Sequence, residues 1–229
     1  DLRTSLSSQP QRGYDAASIG HRLNRLLVVQ EHPVNVSAIL DAGFKDHGAL
    51  LQATRDAVKE PFTQLVSVCI EAILNENKII LFGNGGSASD AQHIAAELVG
   101  RYVSDRVPIP AISLATDSSA LTAISNDYGF EHVFERQLTG VGTAGDVAIG
   151  LSTSGNSPNV IRALQAARTL KMTPAGFAGN TGGAMQDIAS PVLVVPSSET
   201  PRIQEMHILL GHLLCAAIEQ GLGLTQDDD

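Results

Sequence analysis

Two cysteines, Cys69 and Cys215, are all that the 229 residues contain. That is too few for a disulfide framework, and each lies in an apolar, helix-like stretch far from the other, so both read as buried thiols. Basic residues are scarce as well: 15 Lys and Arg stand against 24 Asp and Glu, a formal net charge of −9. The balance argues against the basic face of a general nucleic-acid binder or a binder of acidic membranes. No uninterrupted apolar run approaches the ~20 residues that span a bilayer, and no signal peptide is read ahead of the domain, so the expected location is cytoplasmic. What is abundant is apolar: 43% of residues are hydrophobic against 17% charged, enough for one well-buried domain.

Residues 1–34 read as an N-terminal extension, with a flexible-looking Ser5 to Gly13 and a short amphipathic helix over Ile19 to Val29. From Val36 to Asn77 apolar residues recur at helical spacing, interrupted near Pro61, which predicts two long helices. The pattern then changes to short apolar runs separated by helical stretches: Lys78 to Phe82, Ala111 to Ala115, Asp146 to Leu151, Thr173 to Ala178 and Pro191 to Val195. This alternation predicts an α/β fold with a five-stranded parallel sheet of flavodoxin-like winding, helices on both faces, and long N- and C-terminal helices. The last helix, Arg202 to Gly221, is apolar around most of its circumference, as helices buried between subunits often are. The expected domain is 35–224, followed by an acidic tail over 225–229.

The chemistry concentrates in the stretch from Gly83 to Glu97. An apolar strand enters Gly83-Asn84-Gly85-Gly86-Ser87, where glycines allow a sharp turn and close approach to a ligand. The helix that follows, capped by Ser87 or Ser89, turns its free N–H groups and positive dipole end toward an anion such as phosphate. Four residues apart on that helix, His93 and Glu97 share a face and can converge on one metal or one substrate atom. A second anion loop, Ser152-Thr153-Ser154-Gly155-Asn156-Ser157, follows the third strand and leads into a helix at Pro158. On the last helix Gln204 and His212 are eight residues apart, about 80° around the axis, and face one side. His207 points elsewhere and reads as a structural contact. His21, His32, His47 and His132 have no partner at metal-ligand spacing and read as surface or packing residues.

With these motifs in order, the chain resembles the sugar isomerase (SIS) domain family and, within it, the phosphoheptose isomerases. The resemblance covers about residues 40–220 and rests also on Asp90-Ala91-Gln92-His93, Gly100-Arg101-Tyr102, Asn126-Asp127 and Arg202-Ile203-Gln204-Glu205-Met206-His207. It implies interconversion of sedoheptulose 7-phosphate and D-glycero-D-manno-heptose 7-phosphate through an enediolate. It further implies one zinc per subunit held by His93, Glu97, Gln204 and His212, with phosphate bound by Ser87, Ser152, Thr153, Ser154 and Ser157. Asn84, Gly85, Gly86, Asn126 and Asp127 would line the sugar side and Arg101 would support the site. Glu97 would carry the proton and His212 would be the second acid or base. Family members are homotetramers with active sites between subunits. A non-catalytic relative that binds the bacterial replication initiator shares the fold but lacks the acid and the imidazole at the positions of Glu97 and His212; this chain keeps both. One departure is Pro201, where some members place an acidic residue.

Overall fold

The computed structural model describes residues 34–103 and 105–225. The expectations for Ser5 to Gly13, Ile19 to Val29, His21, His32 and the 225–229 tail beyond Thr225 lie outside the described residues. By contacts the chain divides into two units, Asp1–Gly43 and Phe44–Asp229. The described part of the first, residues 34–43, holds the opening turns of α1, and Val34 before the helix and Val36, Ile39 and Leu40 within it are exposed.

Helix α1 spans Val36–Leu74 without a break and contains Pro61. This corrects the expectation of two helices. A proline removes one N–H and crowds the carbonyl four residues back, yet the helix persists. On either side of it Thr54, Val58, Leu65, Cys69 and Ala72 are buried, so continuous packing outweighs the local penalty.

The remaining elements alternate as predicted: β1 (Ile79–Gly83), α2 (Gly86–Val99), β2 (Ala111–Ser113), α3 (Ser118–Tyr128), α4 (Val133–Val141), β3 (Val147–Ser152), α5 (Pro158–Thr169), β4 (Thr173–Gly179), β5 (Val192–Val195) and α6 (Thr200–Gly221). Short 3-10 turns occupy Phe130–His132 and Gly183–Asp187. The sheet order is β2-β1-β3-β4-β5, with every pairing parallel. Alternate strand residues serve opposite faces, as the two-residue period requires. Ile79, Leu81, Ile149, Leu151 and Phe177 join one core with residues of α1, α2 and α6. Ile80, Phe82, Ala148 and Ala178 join another with Val133, Phe134, Leu138, Val160 and Leu164 of α4 and α5.

At the amino ends of the central strands the buried Asp146 accepts hydrogen bonds from the Lys78 backbone N–H (3.0 Å), Lys78 Nζ (2.6 Å) and the Thr143 backbone N–H (2.8 Å). Burial alone would raise its carboxyl, but these donors outweigh burial and hold it below the ordinary value. Cys69 and Cys215 are free and buried, as expected. Burial pushes the Cys69 thiol well above its ordinary value and that of Cys215 up to about 12.

Candidate active site

The winding order reverses between β1 and its neighbours, so the loops leaving β1 and β3 meet at the carboxyl edge of the sheet, where ligands of such folds bind. Gly83 of β1 stands in register with Leu151 of β3. The two loops are tied by a reciprocal amide pair: Asn84 and Asn159 each donate to the other's carbonyl at 2.8 Å.

The first loop differs from expectation in its capping. Ser87 and Ser89 lie inside α2, and the N-cap is Gly85 at φ 56° with no side-chain cap. The left-handed turn tightens entry into the helix, and Ser87 N–H bonds back to the Asn84 carbonyl at 3.0 Å. Ser87 is buried. The amide of Gln204 lies directly over Gly86, and a Cβ there would have to push that flexible side chain aside.

The second loop folds on itself. Ser152 Oγ lies 2.9 Å from Ser157 Oγ and 3.4 Å from Ser154 Oγ, and the Asn156 N–H donates to Ser154 Oγ at 3.1 Å. Gly155 adopts φ 65°, and a Cβ there would strike the Gly182 carbonyl. Thr153 and Ser157 complete a hydroxyl-rich turn at the start of α5, the dipole end that favours an anion.

Farther along α2, about 10 Å from Gly86 at 1.5 Å per residue, His93 and Glu97 meet His212 of α6. His93 Nε2 is 3.2 Å from Glu97 Oε1 and 3.1 Å from His212 Nε2. One donor atom from each of the three lies within 4.8 Å of the others. Tetrahedral donors held at 2.0–2.1 Å stand about 3.3 Å apart, and two imidazoles with a carboxylate are a common zinc donor set. The residues present therefore fit a zinc ion. Gln204 is two turns earlier on α6, against Gly86. The His93 side chain is 48% exposed and that of Glu97 26%, so the cluster is open to a ligand.

Asp90 shares this stripe of α2, one turn before His93. Burial lifts its carboxyl to about 6, with His93 opposing the shift, and its Oδ2 is buried with no hydrogen-bond partner among the described residues. His207 is structural, as expected: it is buried, its Nε2–H donates to the Ala178 carbonyl at 3.1 Å, and its ring meets Phe177 edge-on.

Asn126 and Asp127 sit on another element. They are exposed at the carboxyl end of α3, where the Asn126 amide donates to Asp127 Oδ1 at 2.8 Å. Arg101 is exposed in the segment after α2, its guanidinium 3.5 Å from the Val103 carbonyl.

Three features that shape the site carry no obvious sequence signal. Asn159 looks like an ordinary first-turn residue. Tyr102 closes a recognised motif, yet its ring stacks on His212, with centroids 5.6 Å apart and planes at 27°. Arg106 and Glu219, 113 residues apart, form a buried ion pair at 2.8 Å. Long-range pairing of this kind is invisible to periodicity.

Among the described residues no helix is long and apolar enough to cross a membrane. The sequence profile of the SIS domain matches residues 44–179. A phosphoheptose isomerase of Paramagnetospirillum magneticum is 51% identical over 183 residues, covering 80% of this chain and 95% of its own length. Among solved structures, a phosphoheptose isomerase from Neisseria gonorrhoeae superposes with a TM-score of 0.77 at 42% identity, covering 81% of this chain and all of its own. One from Francisella tularensis gives 0.78 at 31%, covering 82% and 100%. The chain belongs to the SIS domain family and, within it, to the phosphoheptose isomerases: it is an isomerase.

Proposed function

We propose that the enzyme interconverts sedoheptulose 7-phosphate and D-glycero-D-manno-heptose 7-phosphate, supplying a heptose nucleotide pathway. The observation that carries this reading is the meeting of His93, Glu97 and His212 two turns along the helix whose start faces the phosphate-type loops. A phosphate on Ser87, Ser152, Thr153, Ser154 and Ser157, aided by the α5 dipole, anchors one end of the sugar. Carbons 1 and 2 of a seven-carbon chain then reach toward the cluster, with Asn84, Gly85, Gly86, Asn126 and Asp127 lining the path and Arg101 supporting it.

Ketose-to-aldose conversion takes a proton from C1, leaves an enediolate across C1 and C2, and returns a proton to C2. Glu97, a carboxylate on the open face of α2, carries that proton. His212 moves the proton between the two oxygens, so charge on the enediolate never builds fully. His93, Glu97 and His212, with Gln204 swung from Gly86, would hold zinc. When bound, zinc supplies Lewis-acid stabilisation of the developing oxyanion. Retention of both Glu97 and His212 in one cluster favours the enzyme over the non-catalytic regulator that binds the replication initiator.

The assembly in this reading is a cytoplasmic homotetramer of the 35–224 domain with active sites between subunits. An open groove of about 580 Å³, lined by Leu51, Val58, Phe62, Met206, Leu209 and Leu213 of α1 and α6, supports such burial.

The test is proton NMR of the purified protein with sedoheptulose 7-phosphate in heavy water, with zinc and after chelation. Conversion with deuterium entering at C1 or C2, lost on chelation, is expected. A folded protein that binds the sugar phosphate without converting it would overturn the reading.

A further inference from the structure

We infer that Tyr102, seated on the buried Arg106–Glu219 ion pair, positions the His212 imidazole; this rests on reading His93, Glu97 and His212 as one centre. The torsion that spins a histidine ring is broad, so α6 alone does not fix where His212 Nε2 points. Two rings bound it. Tyr102 stacks on one face at 5.6 Å, and His93 meets it edge-on, with centroids 5.0 Å apart and planes at 64°. A metal-ligating imidazole is usually oriented by a hydrogen bond at its far nitrogen. At His212 the face of Tyr102 does that work.

Tyr102 belongs to the irregular segment after α2, so something must fix it in turn. Its backbone N–H donates to Glu219 Oε1 at 3.0 Å. Glu219 is seven residues beyond His212 on α6, within about 20° of the same face, and the same oxygen takes Arg106 Nε–H at 2.8 Å. Arg106 spends its other donors mostly on carbonyls at the end of α2: Nη1 on Leu98 (2.7 Å) and Gly100 (3.3 Å) and on the nearby Val107 (3.0 Å), Nη2 on Glu97 (2.9 Å). The ion pair is almost fully shut from solvent, the side chains being 2% and 1% exposed. Burial would raise the Glu219 carboxyl, yet Tyr102 N–H and Arg106 outweigh it and keep it below the ordinary value.

One guanidinium therefore helps satisfy the carbonyls of a helix terminus, beside the Ile109 N–H that also reaches the Leu98 carbonyl at 3.0 Å, and locks α2 to α6. The Glu97 carbonyl is one of its acceptors while the Glu97 side chain belongs to the cluster. A strut that served folding alone could join the two helices anywhere. This one grips the residue that supplies one donor and the segment that braces another.

The experiment compares the full chain with Tyr102→Leu and Tyr102→Phe. It reads zinc affinity by competition with a chromophoric chelator, kcat and KM separately with sedoheptulose 7-phosphate, and the His212 ring signals by NMR. In Tyr102→Leu the zinc affinity is expected to fall about 10-fold or more. The kcat should drop with KM nearly constant, and the His212 ring protons should lose the shift imposed by the stacked ring. Tyr102→Phe, which keeps the ring face, restores all three. The double variant Arg106→Met/Glu219→Leu, which removes both charges without leaving one unpaired, should weaken zinc binding in the same direction and keeps the idea testable if Tyr102→Leu misfolds. Wild-type zinc affinity, kcat and His212 signals in a folded Tyr102→Leu protein would overturn the inference alone. A wild-type protein that neither binds zinc nor isomerises would remove the reading of the centre and the inference together.

Discussion

In the proposed reading Glu97 would both hold the cation and carry the proton, two roles in tension because a carboxylate bound to a cation is a weaker base than a free one. Its place within 3.2 Å of His93 makes glutamine the informative replacement: the size and one acceptor stay, the proton-carrying capacity goes. Glu97→Gln is expected to lower kcat by roughly 10³-fold with far-UV circular dichroism, melting temperature and KM almost unchanged. Full turnover would assign the base elsewhere. Gly86 is a second single-residue test. Alanine there displaces the Gln204 amide, as the proposed zinc set also does, so Gly86→Ala should leave zinc affinity undiminished in the same chelator competition while raising KM, and Gln204→Ala should weaken zinc binding in either background.

His207 makes one contribution to acid stability. Burial lowers its imidazole from 6.5 to about 4, only partly opposed by the bond to Ala178. The folded value lies below the unfolded one, so the unfolded chain takes up the extra proton. The contribution is complete above about pH 6.5 and is lost as pH falls toward 4, about 3 kcal/mol over that window. Urea melts across pH 4–7 should show a steeper loss for the wild type than for His207→Gln.

Between strand and helix, the loop over Ser152–Ser157 depends on contacts that span elements. Asn159 of α5 is buried and bonded both ways to Asn84 of the β1 loop. Replacing it with leucine leaves the Asn84 amide unpaired, an expected cost of about 1–3 kcal/mol, and separates the two loops. Asn159→Leu should therefore raise KM for the sugar phosphate more than it lowers kcat, checked by steady-state kinetics beside a thermal melt. At this scale the sequence is most legible where a short apolar run meets a glycine-rich turn: all five strands end within two residues of expectation, β2 stopping two residues short. It was least legible at Pro61, where burial along α1 overrides a local breaker, and at the α2 cap, where Gly85 takes the place given to a serine. The pairing of His93 and Glu97 was readable from four-residue spacing. Tyr102, Arg106 and Glu219 were not, because their geometry arises only when α2 and α6 pack side by side.

For the whole molecule, α6 exposes Leu213 at 46%, and α1 exposes Phe44 and Leu51. A tetramer through these helices would cover them. Leu213→Glu is then expected to yield smaller species in sedimentation velocity, with activity falling in step with dissociation. An unchanged sedimentation coefficient would move the interface elsewhere.

Cys69 in α1 and Cys215 in α6 sit behind this surface with their thiols protonated and shielded. Cys215 lies on the helix that carries His212, yet a protonated sulfur does not compete with imidazole for a cation. The same shielding gives the protein an internal clock. A thiol-specific reagent reaches either sulfur only during opening, so labelling rates count how often each helix leaves the core. If zinc is held as proposed, stripping it should quicken labelling at Cys215 ahead of Cys69, turning the loosening of one helix pair into a measurable time.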